Sequence, residues 1–315
     1  MIWLTWRQQR FEVGIAALLL VLAAAALVPG GLHMASVYSD GGVGACLAHP
    51  GGTGCNAIVD DFRARFQNAG SIIPWLNFLP GLFGILLAAP LVLEFEQGTF
   101  RLAWTQSVTR TRWLTVKLAT ICLIGLVATF ALAALITWWR QPLDHLQGRM
   151  EANVFDFEGI VPYSYTLFAI ALAIAIGVVT RRTIVATAAA LLVFFVVRIV
   201  IQSWLREHYL APITKVWRNG QPKPEHLDNA WILLLRPSDS LGHQLPFGDP
   251  TVMSCMSGPR AEIARCLNSH HVFNVATYHP ASRFWLFQGI EAGIFFGLAA
   301  LLLASAVWWV KHRVA

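Results

Sequence analysis

Four histidines, His243, His270, His271 and His279, share one region of the chain with Cys255 and Cys266. Imidazole and thiolate are the usual ligands of zinc, and a histidine beside a carboxylate is common hydrolytic apparatus. The spacing argues against both chemistries. Neighbours such as His270 and His271 point in different directions from any regular element, and no C-x-x-C or H-E-x-x-H pattern accompanies them. They read as surface or hydrogen-bonding histidines, so no metal and no catalytic residue is assigned. A phosphate cradle is missing too. None of Lys117, Lys215, Lys223 or Lys311 follows a glycine, so there is no G-x-x-x-x-G-K-[ST] loop with which to hydrolyse ATP. What remains is charge where charge is costly, because Arg198 and Glu291 each lie inside a long apolar run.

The elements that hold them follow from composition. Of 315 residues 56% are hydrophobic and 13% charged, against roughly half and a quarter in soluble domains. Crossing a hydrocarbon core takes about 20 apolar residues, and six runs qualify: 11–34, 72–93, 113–139, 161–180, 183–205 and 284–310. The first run continues into Pro29-Gly30-Gly31 without a small-x-small cleavage site and is therefore read as a retained helix rather than a signal peptide. The fold class is all-α integral membrane protein, six transmembrane helices with a large external cap between helices 5 and 6.

Orientation follows from basic residues in the short loops and tails. With the N-terminus inside, Arg7, Arg10, Arg101, Arg110, Arg112, Arg181, Arg182, Lys311 and Arg313 are cytoplasmic, and only Arg63, Arg65, Arg140 and Arg149 face out in short loops. The expectation is a multi-pass protein of the cell membrane with both termini cytoplasmic. The net charge of +6 then belongs to lipid-facing margins, and nucleic acid is not an expected partner. The oxidising outside holds Cys46 with Cys55, and Cys255 with Cys266, so two disulfides are predicted, two pairs of free thiols being the alternative. Cys122 lies within the third span as a packing residue. Eight prolines interrupt 206–282, which predicts a compact, loop-rich cap.

Within the membrane, Arg198 is fifteen residues into the fifth span and Glu291 seven into the sixth. At 1.5 Å per residue they stand about 22 Å above the inner end and about 10 Å below the outer one, at matching depth. An Arg198–Glu291 ion pair fixing helix register is predicted, with substrate binding as the alternative. Gly289, Gly293 and Gly297 form a stripe at i, i+4 and i+8 that suits close helix packing, within the subunit by default and between subunits as the alternative.

Between the second and third runs stands EFEQGTFRLAWTQSVTRTRW, residues 94–113. A connector would need far fewer residues, as Arg181-Arg182 shows. On a helix, Phe100, Trp104 and Val108 make one apolar stripe, with Arg101, Thr105 and Arg112 on another side, the pattern of a segment lying on the membrane surface. Gly98 allows a sharp turn and Thr99 suits a helix start. Glu94, Glu96, Gly98-Thr99, Ser107, Arg110 and Lys117 resemble the E-x-E-x-G-T…S-x-x-R…K pattern of ABC-2-type permeases. The MIWLTWRQ start at 1–8 and the GT-x-RLAWTQSVTR-x-RW run at 98–113 most resemble actinobacterial exporter permeases of that class.

The resemblance implies a six-span membrane subunit of an ATP-driven exporter, of drugs, peptides or lipids. In that class the stretch is a coupling helix docked in a separate ATPase, so Glu96, Gly98, Thr99, Arg101 and Arg110 are implied as ATPase-coupling residues. It implies two ATPase subunits that bind ATP and Mg, with no cofactor in this chain, and a second permease copy. Trp3 and Trp6 would lie on an interfacial helix at membrane lipid. The chain then divides into interfacial helix 1–10, spans one to five at 11–205 with the coupling loop at 94–112, cap 206–282, and last span with tail 283–315. Alternatives are an antibiotic sensor or immunity subunit on the same fold, and a membrane-embedded enzyme.

Overall fold

The structure, a computed structural model, describes residues 2–49, 54–101, 109–224, 227, 229–246, 248–257 and 259–313. The six apolar runs fold as six long helices, here α1 (Ile2–Asp40), α2 (Leu79–Gln97), α3 (Arg110–Gln147), α4 (Val161–Thr180), α5 (Thr183–Val200) and α6 (Phe284–His312). The membrane part is all-α, as its length and hydropathy require, because only helices satisfy every backbone group within lipid. Two compact units result: Met1–Pro142, Asp156–Val200 and Gln288–Ala315 in one, Leu143–Phe155 and Ile201–Phe287 in the other.

The first unit is organised on α2 and α4. Of the apolar window of α4, 67% is buried inside the chain, against 17% for α1, so α4 is the central helix and α1 offers most of its surface to lipid. Small residues allow the central contact. A Cβ on Gly84 would fall 2.6 Å from the Thr166 carbonyl oxygen and 2.8 Å from the Ala169 methyl, so only glycine lets these backbones approach so closely. Thr129 and Thr166 share a 2.6 Å hydrogen bond between α3 and α4. The glycines expected to pack within the subunit behave differently: a Cβ on Gly289, Gly293 or Gly297 meets nothing within 4 Å. Among the described residues that stripe makes no close helix contact, because α6 turns its glycines outward and buries Ala292, Phe295 and Ala299 instead.

No break separates the expected surface helix at 1–10 from the first span. Residues Ile2–Asp40 form one continuous 39-residue helix, about 58 Å long at 1.5 Å per residue. Beyond it, Cys46 and Cys55 form a disulfide with Cα atoms 5.2 Å apart.

The second unit contains more order than its prolines announced. Strands β1 (Ile213–Arg218), β2 (Trp231–Ser238) and β3 (Phe273–His279) form an antiparallel sheet in the order β1-β3-β2, with Ile213 opposite Tyr278 and Trp231 opposite His279. Pro237, which had counted against regular structure, sits in an edge strand, where a missing N–H is tolerated. Central β3 buries Val275, Ala276, Tyr278 and His279. Two short helices follow β2. Asp249 caps the first, Pro250–Cys255, by accepting from the Thr251 N–H at 2.9 Å, and the Cys255–Cys266 disulfide joins it to the second, Arg260–Ser269. Their shared core is Val252, Cys255, Leu267 and Val272.

Candidate functional site

The polar stretch between α2 and α3 is held at both roots. Gly98 ends α2 with φ of 71°, a left-handed cap that a side chain would strain, and its carbonyl accepts from the Arg101 N–H at 3.1 Å. On the far side the Thr109 carbonyl accepts from the Trp113 N–H at 3.0 Å, opening α3. Aromatic rings close the base: Phe95 lies 5.3 Å from Phe100 and 5.8 Å edge-on from Trp113. Phe100, expected on a lipid-facing stripe, is buried in this cluster. Trp104, Thr105, Ser107 and Val108 lie outside the described residues, as do the side chains of Trp3 and Trp6.

Beneath the rings, Lys117 of α3 pairs with Glu94 of α2. Both are buried, and Lys117 Nζ also donates to Gln8 Oε1 of α1 at 2.9 Å while lying 5.1 Å from the centre of the Trp113 ring. A low-dielectric pair of this kind is costly to break, because the survivor is left charged and buried. Glu96, two residues on, faces another way. Its carboxylate accepts from the Thr183 backbone N–H at 2.7 Å and from the Thr183 hydroxyl, and so caps α5. Thr99, Arg101 and Arg110 are exposed. The E-x-E…K pattern in the sequence is therefore an anchor: one carboxylate binds Lys117 of α3, which also holds Gln8 of α1, and the other binds α5.

The second polar centre departs from expectation. Arg198 pairs with Asp156 at 2.7 Å rather than with Glu291, donates to the Asn77 carbonyl at 3.2 Å, and stacks 3.9 Å from the centre of the Tyr165 ring. Tyr165 carries the link onward, its hydroxyl lying 3.0 Å from Asp156 and within hydrogen-bond distance of Glu291. Arg198 and Glu291 both contact Tyr165, which stands between them. Depth counting within the spans missed Asp156 because it precedes the fourth run by five residues and reads as loop. Its burial at 1% exposure makes it the natural counter-charge. Close by, Gln288 Oε1 accepts from the Ile160 and Val161 N–H groups, each at 3.0 Å, and caps α4 from α6.

The histidines hold structure together. His279 is fully buried, with Nε2 3.1 Å from the Glu207 carbonyl and Nδ1 3.1 Å from an Arg283 nitrogen. Burial holds its pKa below the usual imidazole value, and the Arg283 charge adds to that, against the Glu207 carbonyl contact and the Glu207 charge, which both favour the proton. His243 stacks its Nδ1 3.0 Å from Asp239, whose other oxygen accepts the Leu241 and His243 N–H groups. His270 approaches Cys255 and Cys266, but their sulfurs are bonded to each other and offer no thiolate to a metal.

A family model described as ABC-2 membrane transporter related matches residues 17–206. The chain belongs to that family. It is a multi-pass, permease-type transport subunit of the ABC-2 class. The match takes in α2 to α5, the anchored loop and Asp156, and stops where the sheet-bearing region begins. No curated protein and no solved structure matched.

Proposed function

We propose that this ABC-2-type chain is the pathway-forming subunit of an ATP-driven exporter, coupled through 94–112 to a separate ATPase that binds ATP and Mg. The observation that carries the reading is the double root of the loop. At its roots, Glu94 of α2 pairs with Lys117 of α3, Lys117 holds Gln8 of α1, and Glu96 of α2 holds Thr183 of α5. A force applied to the loop thus reaches four of six spans through buried or charge-assisted contacts. Exposed Thr99, Arg101 and Arg110 form the docking face, and Gly98 sets its angle.

The basic margins favour a cytoplasmic loop and cytoplasmic termini. Two copies of the chain, each with its ATPase, complete the assembly. The outward glycine stripe of α6 supports this, since Gly289, Gly293 and Gly297 meet nothing within 4 Å among the described residues and offer a second helix a close approach. Co-purification with a co-expressed ABC ATPase tests the reading. A stable complex with turnover sensitive to Arg101→Ala and Arg110→Ala supports it; absence of any complex removes it.

A further inference from the structure

Where α3 begins and α6 ends, a cavity of about 200 Å³ opens between the two helices. Arg110 and Thr111 of α3 line it opposite Lys311 of α6, and its floor is Leu114, Val307 and Val310. The spacing explains the arrangement. Arg110 and Leu114 share one face of α3 at i, i+4, and Val307 and Lys311 share one face of α6 likewise. Leu114 and Val310 are buried, while Thr111 and Lys311 are exposed. The cavity therefore has a cationic, hydroxyl-bearing mouth and an apolar floor.

We propose that this cavity binds the headgroup of an anionic phospholipid. Arg110 presents a planar fork suited to phosphate, Lys311 a mobile point charge, and Thr111 a hydroxyl. A water-soluble phosphate would satisfy these groups but has nothing to place on Leu114, Val307 and Val310, whereas a lipid carries its acyl chains onto them. Depth agrees independently. Trp308 is 51% exposed and Trp309 adjoins it, and tryptophans at span ends mark the headgroup level. Leu301, two turns deeper on α6 on the face of Trp308, is 68% exposed. In the orientation proposed above, this is the cytoplasmic leaflet, the one that carries anionic lipid and attracts basic clusters beside spans.

The site is separate from ATPase docking in everything but Arg110, and Lys311 isolates it. The full chain is placed in nanodiscs of phosphatidylcholine doped with phosphatidylglycerol, and lipid co-retained after detergent extraction is measured by native mass spectrometry. Wild type is expected to retain phosphatidylglycerol preferentially. Lys311→Gln should lower that preference about fivefold, equivalent to roughly 1 kcal/mol for one basic residue at an anionic surface, and Lys311→Arg should preserve it. Adding Arg110→Gln to Lys311→Gln should abolish the preference, with melting in pure phosphatidylcholine unchanged as the control for folding. Excess inorganic phosphate should not displace the lipid, and Arg182→Gln, an exposed charge away from the cavity, should have no effect. Unchanged retention in the double variant, equal loss in Arg182→Gln, or displacement by phosphate alone would each overturn the proposal.

Discussion

Lys117 is the residue at which three helices meet, and its energetics decide whether the loop is anchored or merely attached. Replacing it by Met leaves Glu94 buried opposite an apolar side chain, and such breaks cost about 3–5 kcal/mol. The melting temperature of the purified chain should fall sharply in Lys117→Met and recover in large part when Glu94→Leu is added, since a buried pair is often replaceable by matched apolar groups. No recovery would mean that the pair is not the anchor. His279 gives a second residue-scale expectation. Its folded pKa lies below the ordinary 6.5, so below that value the unfolded chain binds the proton more readily than the folded one. Its stabilising contribution is complete above pH 6.5 and is lost as pH falls through the folded value. Melting followed against pH should show that acid-side loss in wild type and a flatter profile in His279→Gln.

At the same scale the sequence was informative about types and silent about partners. Glu94, Glu96 and Lys117 stood in the motif, yet only coordinates divide them between α3 and α5. Arg198 announced a buried counter-charge, but Asp156 lies in a segment that hydropathy scores as loop.

Among the elements, the two sets of glycines make opposite predictions. Gly84→Ala forces a methyl group against the Thr166 carbonyl of α4, and overpacking of this kind costs about 1–3 kcal/mol. Gly293→Ala has open space among the described residues, so it should leave melting of the monomer unchanged. Gly293→Cys should form a cross-linked dimer in membranes if the stripe pairs with a second copy; a monomer under the same oxidation would exclude α6 as the dimer contact. A stripe at i, i+4 and i+8 was visible in the sequence, but periodicity does not say which side of a helix faces its own bundle. Gly177, isolated in its run, and Gly84, with Gly81 three residues before it, carried no such long stripe, although both α2–α4 approaches depend on them. The sheet of the second unit was hidden differently. Its strands are 6 to 8 residues long, and Pro237 at an edge looks like a breaker until strand order is known.

Across the whole molecule, the feature that was legible is the one enforced by the bilayer, six long apolar helices; the ends of the first three lie up to nine residues from the apolar runs, and residues 94–97 and 110–112 of the expected loop are helical. Lipid permits so few backbone solutions that hydropathy nearly determines them. The sheet-bearing unit answers to no such constraint, and the family match ends at its edge. The central claim concerns the loop, and ATP turnover tests it most directly. The chain is co-expressed with an ABC ATPase, and the purified complex is compared with complexes carrying Arg101→Ala or Arg110→Ala. Turnover should fall about tenfold or more in each variant, a loss of roughly 1.4 kcal/mol or more, while melting of the permease stays at the wild-type value. Turnover indifferent to both substitutions in an intact complex would contradict docking through 94–112.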